Sequence, residues 1–215
     1  MKAFPRLPRA PLALAIMNLL LERPMHPYEM KILMKQRGHD EVIKLKGGSI
    51  YDTVERLERG GFIESQETSR EGRRPERTVY ALTESGRDEL RTWMREIVSE
   101  PAREFPQFAA ALAFIAGLDQ AEVVELFQRR ILAREAELAA ATTKLQGTLD
   151  YGIPRLFTIE AEYLIAMRRA EIEWVRQVAA DIQAGNVWLT HEEMKAVADT
   201  VHKRQGTDSR RDDSN

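Results

Sequence analysis

The chain has 215 residues, a formal net charge of −2 and 43% hydrophobic residues, which is enough apolar material for a buried core. It has no cysteine, which excludes disulfide frameworks, thiolate zinc fingers, cysteine-ligated iron–sulfur clusters and thiol catalysis, and agrees with a reducing cytoplasm. The near-neutral total hides an asymmetry: residues 1–77 hold 15 Lys and Arg against 11 Asp and Glu, whereas the remainder holds 17 against 23. A basic half joined to an acidic half points to a polyanion as partner of the basic one.

In chain order, Lys2, Arg6 and Arg9 precede the apolar run LALAIMNLLL at 12–21 in the manner of a secretory signal. That run is too short to span a bilayer, contains Asn18, and ends in Glu22-Arg23-Pro24 with no small-residue cleavage site after it. It reads as a buried helix, with Pro11 in the first turn and Leu12, Ile16, Leu19 and Leu20 at helical spacing. No other run is long enough to cross a membrane, so no membrane partner is expected. After a turn at residues 24–27, a second helix is expected from about Tyr28 to Gln36, with Met30, Ile32, Leu33 and Met34 as its apolar set and Gly38 ending it.

A loop through Lys44, Lys46, Gly47 and Gly48 leads to Ser49, an expected N-cap with Asp52 as its capping-box partner. In the third helix Ile50, Val54 and Leu57 fall on one face, which turns Tyr51, Asp52, Glu55, Arg56 and Arg59 outward. Gly60-Gly61 stops it, a strand starts at Phe62-Ile63, and the chain turns at residues 70–75, REGRRP, before returning through Val79, Tyr80 and Leu82. Thr83 or Ser85 then caps a helix carrying Leu90, Met94 and Ile97.

Three short helices and a two-stranded wing form a winged helix-turn-helix, whose third helix enters a DNA major groove. Ser49 and the adjoining N–H groups suit a phosphate, Tyr51 a phosphate or sugar, and Arg56 a guanine edge. Arg73 and Arg74 at the wing tip suit a narrow minor groove, and Lys44 and Lys46 suit the backbone. Each has a plainer reading: Ser49 is a cap in either case, Tyr51 covers the helix–wing junction, and Arg56 pairs with Asp52. The adjacent arginines are harder to explain by folding alone, because a hairpin tip gains little from them.

Three segments together carry a resemblance: HPYEM at 26–30, GGSIYDTVERLERGGFI at 47–63, and GRRPERTVYALTESGRDEL at 72–90. With them the N-terminal region resembles the PadR-like transcriptional regulators. Two departures from the family pattern are Pro27, where glycine is more usual, and Pro75-Glu76-Arg77 in place of a more basic wing return. The resemblance implies a homodimeric repressor on a pseudo-palindromic operator, with a long helical C-terminal region that dimerises.

The C-terminal half supports a helical domain independently. From Glu122 to Leu149 one strip carries Val124, Phe127, Ile131, Leu138, Ala141 and Leu145, interrupted by Arg134. Gly147 and residues 150–154 make a turn, and a second long helix follows from about Thr158 to Gln183. It is lined by Leu164, Met167, Val175, Val178 and Ile182, and widened by Tyr163, Ala166, Ala170 and Trp174. Stripes this wide call for a second subunit, with the apolar segment 105–118 bridging the domains; the competing reading folds that segment over both stripes within a monomer.

The expected fold is therefore mainly α: a winged helix-turn-helix DNA-binding domain over 1–98, a helical dimerisation domain over 99–186, and a polar, partly disordered tail over 187–215. An amphipathic stretch is expected around Glu192 to Val201. The expected partners are double-stranded DNA, a second copy of the chain, and a small-molecule effector near Tyr163, Met167 and Trp174, residues that also suit plain core packing. The four histidines are scattered, His191-Glu192-Glu193 lacks a second metal-ligating histidine, and no phosphate-cradling glycine loop or GxSxG occurs. No enzyme activity, metal or cofactor is expected. The alternative is a winged helix that serves only as a protein-interaction scaffold.

Overall fold

The computed structural model describes residues 9–45, 48–69, 77–190, 192–197 and 199–200. The chain divides into two units, Met1–Glu104 and Phe105–Asn215. The wing tip, with Arg73 and Arg74, lies outside the described residues, as do Lys46, Gly47 and the C-terminal residues 201–215.

Unit 1 is organised around α1 (Pro11–Glu22), which starts on Pro11 as expected. Its apolar surface is wider than a single stripe: Ala13, Ile16, Met17 and Leu19 are fully buried, because α2, α3, α4 and the sheet all pack on it. Helix α2 (Pro27–Gln36) begins on Pro27, whose absent N–H costs nothing at a first helical position, and the chain leaves it through Gly38 at φ 75°. Met30 and Met34 enter the core and Leu33 packs at its edge, but Ile32 points outward, so the expected apolar set is one residue too large.

Helix α3 (Ser49–Arg59) buries Ile50, Val54 and Leu57, and Gly61 at φ 74° turns the chain into β1 (Ile63–Ser69). Strand β1 pairs antiparallel with β2 (Arg77–Leu82), from Ile63 opposite Leu82 to Ser69 opposite Arg77, with a bulge between Ser65 and Glu67. Met25, in the α1–α2 turn, exchanges both backbone hydrogen bonds with Tyr80 at 3.0 Å and adds a third short rung to the sheet. Side-chain periodicity does not carry that pairing, because it is made by the backbone alone.

Thr83 caps α4 (Glu84–Ser99): its oxygen accepts the Gly86 N–H at 3.0 Å, and its hydroxyl lies 2.8 Å from the Gly61 carbonyl and 3.0 Å from that of Phe62. The inner face of α4 carries Gly86, Leu90 and Trp93, whereas Met94 and Ile97 are nearly half exposed. The sequence-based phase was therefore wrong beyond Leu90. Gly86 sets the phase, because it brings α4 against the Phe62 backbone.

Unit 2 is built on a long helical hairpin, α6 (Gln120–Asp150) against α7 (Ile159–Gln183), preceded by the short α5 (Gln107–Leu112). Helix α6 runs straight through Gly147, which is not part of the turn; the chain reverses at Gly152, φ 78°. At one end Val123 and Phe127 pack with Val175, Ala179 and Ile182, and Phe108, Leu112, Ile115 and Trp188 close over them. Phe108, Leu112 and Ile115 of segment 105–118 thus fold back on the helices of their own unit, as in the competing reading, whereas Phe105 and Phe114 stay exposed.

The inner stripe of α7 also differs from expectation. Ile165, Ile172, Val175, Ala179 and Ile182 are buried, whereas Met167, Tyr163 and Trp174 are about half exposed or more. On α6, Val123 takes the buried place expected of Val124. Polar contacts fix the register of the hairpin. Gln120 Nε2 donates to the Ile182 carbonyl at 2.7 Å, Arg176 pairs with Glu135, and Arg130 and Arg134 both bind Glu171 Oε1, at 2.7 and 3.0 Å through their Nε atoms.

Burial pushes the Glu171 carboxyl up, but the hydrogen bonds from Arg134 and Arg130 outweigh it and hold it below the usual 4.5. Protonating Glu171 is thus harder in the folded chain than in the unfolded one. Its contribution is complete above the ordinary carboxylate range and is lost as pH falls through it. Thermal unfolding followed from pH 7 down to about pH 3 should show a steeper acid loss for the natural chain than for Glu171→Gln. Parallel acid profiles would refute that role for the carboxylate.

Candidate nucleic-acid interface

The outward face of α3 is fixed by its inward one. Ile50, Val54 and Leu57 anchor the helix on α1 and α2, which leaves Tyr51, Asp52, Glu55, Arg56 and Arg59 exposed, as the periodicity requires. Tyr51 is half exposed. Arg59 is neutralised along the helix by Glu55 at 3.0 Å. Arg56 behaves differently: its Nε donates to the Asp52 backbone carbonyl and its Nη2 to Thr53 Oγ1, both at 3.3 Å, so the expected Asp52 carboxylate pairing is replaced by neutral acceptors.

At the start of α3 the structure also departs from the sequence reading. Gly48, which has no side chain to cap with, occupies the N-cap and Ser49 is the first helical residue; Asp52 donates its N–H to the Gly48 carbonyl, and no capping-box bond from its carboxylate is present among the described residues. A Gly-Gly lead-in lets the chain enter the helix one residue earlier than a Ser cap would. The consequence favours anions, because a helix start without a capping side chain still presents N–H dipoles. Just before it in the chain, Ile43 and Leu45 pack on the core while Lys44 between them is exposed.

The α1–α2 corner that carries α3 is pinned by two exposed ion pairs, Arg37 with Glu22 and Arg23 with Glu29. His26 caps α2, its Nδ1 accepting the Tyr28 N–H at 3.1 Å. On the wing, burial pushes the Tyr80 phenol up, and the carboxylates of Glu58 and Glu55 add to it. Tyr80 therefore stays a neutral phenol in the strand beside α3.

Residues 16–92 match the family model "Transcriptional regulator PadR-like family". Over those residues the chain resembles the PadR-like regulators. The Negative transcriptional regulator PadR of Bacillus subtilis (strain 168) is 25% identical over 175 residues, covering 78% of this chain and 95% of the relative. The structure of Bacillus subtilis PadR in complex with operator DNA superposes with a TM-score of 0.66 at 23% identity, over 80% of this chain and 98% of that one. PadR in complex with p-coumaric acid gives 0.63 at 23% identity, over 80% and 99%. At these identities the likeness establishes the PadR fold, helical C-terminal region included.

Within the segment at 72–90 that carries the resemblance, the geometry gives several residues a reason: Tyr80 bridges to Met25, Leu82 enters the core, Thr83 caps α4 and Gly86 lets it approach Phe62. In unit 2 the three residues singled out by sequence share one half-exposed face of α7. Trp174 lines an open pocket of about 820 Å³ together with Phe108, Leu112, Arg130, Arg134 and Glu171, whereas Tyr163 and Met167 are not among its lining residues. The Arg130 guanidinium lies 3.4 Å from the Phe108 ring centroid, and Phe108 meets Trp174 edge to face at 6.3 Å. The sequence reading missed this arginine–aromatic cluster, because its members come from three helices; the only hint was Arg134 interrupting an apolar strip.

Proposed function

We propose that this PadR-like chain is a sequence-specific, DNA-binding transcriptional regulator: a homodimeric cytoplasmic repressor on a pseudo-palindromic operator, released by a small-molecule effector. A DNA-binding domain over 1–98 would be carried in pairs by a dimerising helical domain over 99–186. The observation that carries the reading is α3: a helix locked on its apolar face and displaying on the other Tyr51 and an Arg56 that, among the described residues, pairs with neutral acceptors and no carboxylate. Lys44, Lys46, Ser49, Arg73 and Arg74 are the proposed phosphate and groove contacts around it.

The relatives support the repressor, operator and effector parts. PadR of Bacillus subtilis is a negative regulator, and it has been crystallised with operator DNA and with p-coumaric acid. The half-exposed face of α7, with Tyr163, Met167 and Trp174, supports a second copy as partner, and the Phe108–Trp174–Arg134 pocket supports an effector site. Among the described residues no helix is long and apolar enough to cross a membrane.

Arg56→Ala tests the base-reading part. It is expected to relax preference at one base pair in each half-site by roughly tenfold, with non-specific affinity nearly unchanged. This is read by competition between DNA fragments that differ at that position. An unchanged preference profile would remove Arg56 from base recognition.

A further inference from the structure

Thr53 sits inside α3 with 2% of its surface exposed, and it and Thr158 are the buried polar residues among those described. A β-branched residue is a modest helix former, and a buried hydroxyl costs stability unless it finds partners. Valine would fill the same space with no such demand. The hydroxyl does find two partners: it donates to the Ser49 carbonyl at 2.6 Å and lies 3.3 Å from Arg56 Nη2. Donation to Ser49 uses its single hydrogen and fixes its rotation, so toward Arg56 the oxygen can only accept.

Arg56 is consequently tethered at two points, Thr53 Oγ1 and the Asp52 carbonyl, both neutral. Arg59, one turn away, is tethered by the Glu55 carboxylate instead. The difference matters for recognition. A carboxylate holds an arginine and cancels its charge, whereas a hydroxyl and a carbonyl hold it and leave the charge intact. Two of the five N–H groups are used, which leaves three for a two-point contact with a guanine edge.

We infer that Thr53 is a positioning residue for Arg56: its hydroxyl, fixed by the Ser49 carbonyl, holds the uncompensated guanidinium over the exposed face of α3 before DNA arrives. This rests on the reading of Arg56 as a base contact. Ordering a long side chain in advance removes part of the entropy cost of binding, which sets the expected size of the effect at roughly three- to tenfold.

The test uses the full chain and DNA fragments enriched by it from a random pool, with scrambled fragments as reference. Thr53→Val should lower the ratio of selected to scrambled affinity roughly three- to tenfold, Thr53→Ser should restore it, and Thr53→Val in an Arg56→Ala background should have no further effect. Affinity for scrambled DNA should not move, which a general loss of helix stability would not achieve. If Arg56→Ala changes the ratio while Thr53→Val does not, or if the two effects add, the positioning role is overturned and the base contact stands. If neither substitution changes the ratio, the base contact fails and the inference with it.

Discussion

Replacing Gly86 with alanine is expected to unfold or severely destabilise the N-terminal unit, and valine to do so more strongly. A Cβ built there would lie 2.0 Å from the Phe62 carbonyl oxygen and 2.9 Å from its carbonyl carbon, and both belong to backbone that cannot rotate away. Relief requires α4 to retreat from β1, which would strain the Thr83 bonds to the Gly61 and Phe62 carbonyls and lift Leu90 and Trp93 from the core. Overpacking into side chains costs about 1–3 kcal/mol, and overlap with backbone should exceed that, out of a total stability on the order of 5–15 kcal/mol. Denaturant unfolding followed by circular dichroism measures it. The internal control is Gly147→Ala in the last turn of α6, where the added methyl meets nothing within 4 Å and should stabilise by about 0.5–1 kcal/mol. A Gly86→Ala chain as stable as the natural one would refute the packing described for α4.

The second large effect is on DNA. The outward face of α3 is not basic: Asp52, Glu55 and Glu58 accompany Arg56 and Arg59 along the helix. If the chain neutralises phosphates, the positive charge has to come from elsewhere, and Lys44, Lys46 and the wing arginines hold it. Replacing Arg73 and Arg74 with alanine is therefore expected to weaken binding to all DNA on the order of tenfold per arginine and to reduce the slope of log affinity against log salt by about two. Fluorescence anisotropy across a salt series reads both quantities, and circular dichroism checks that the fold is kept. Unchanged affinity and slope would remove the wing from the interface.

The parts of this structure that were legible in the sequence are those where one residue type decides geometry. Pro11 starts a helix, Gly38 and Gly61 end helices at positive φ, and a period of 3.6 separates Ile50, Val54 and Leu57 from Tyr51, Glu55 and Arg56. The errors fall where a partner element decides. On α4 the choice between Met94 and Trp93 as inward residue depends on how closely Gly86 meets Phe62, a contact between residues 24 apart in the chain. Helix α7 offers two apolar stripes, Ile165–Ile172–Val175 and Tyr163–Met167–Trp174, and only packing on α6 selects the first.

The candidate interface divides in the same way. Tyr51, Arg56 and Lys44 are exposed as the pattern required, but Ser49 lost its capping role to Gly48, and the tether on Arg56 comes from Thr53, which periodicity leaves at the border of two faces. Lys46, Arg73 and Arg74 rest on the sequence alone. The arginine–aromatic cluster of unit 2 was not legible, since Phe108, Arg130 and Trp174 meet only once α5 folds back on the hairpin.

The central claim is that this chain reads a DNA sequence, and one binding series tests it most directly. DNA fragments enriched from a random pool by the purified chain are compared with scrambled versions of themselves from about 50 to 300 mM salt. The account predicts that affinity for both falls steeply and linearly in log salt while the selected fragment keeps an advantage on the order of a thousandfold. Equal affinity for selected and scrambled fragments, or binding that does not respond to salt, would contradict it.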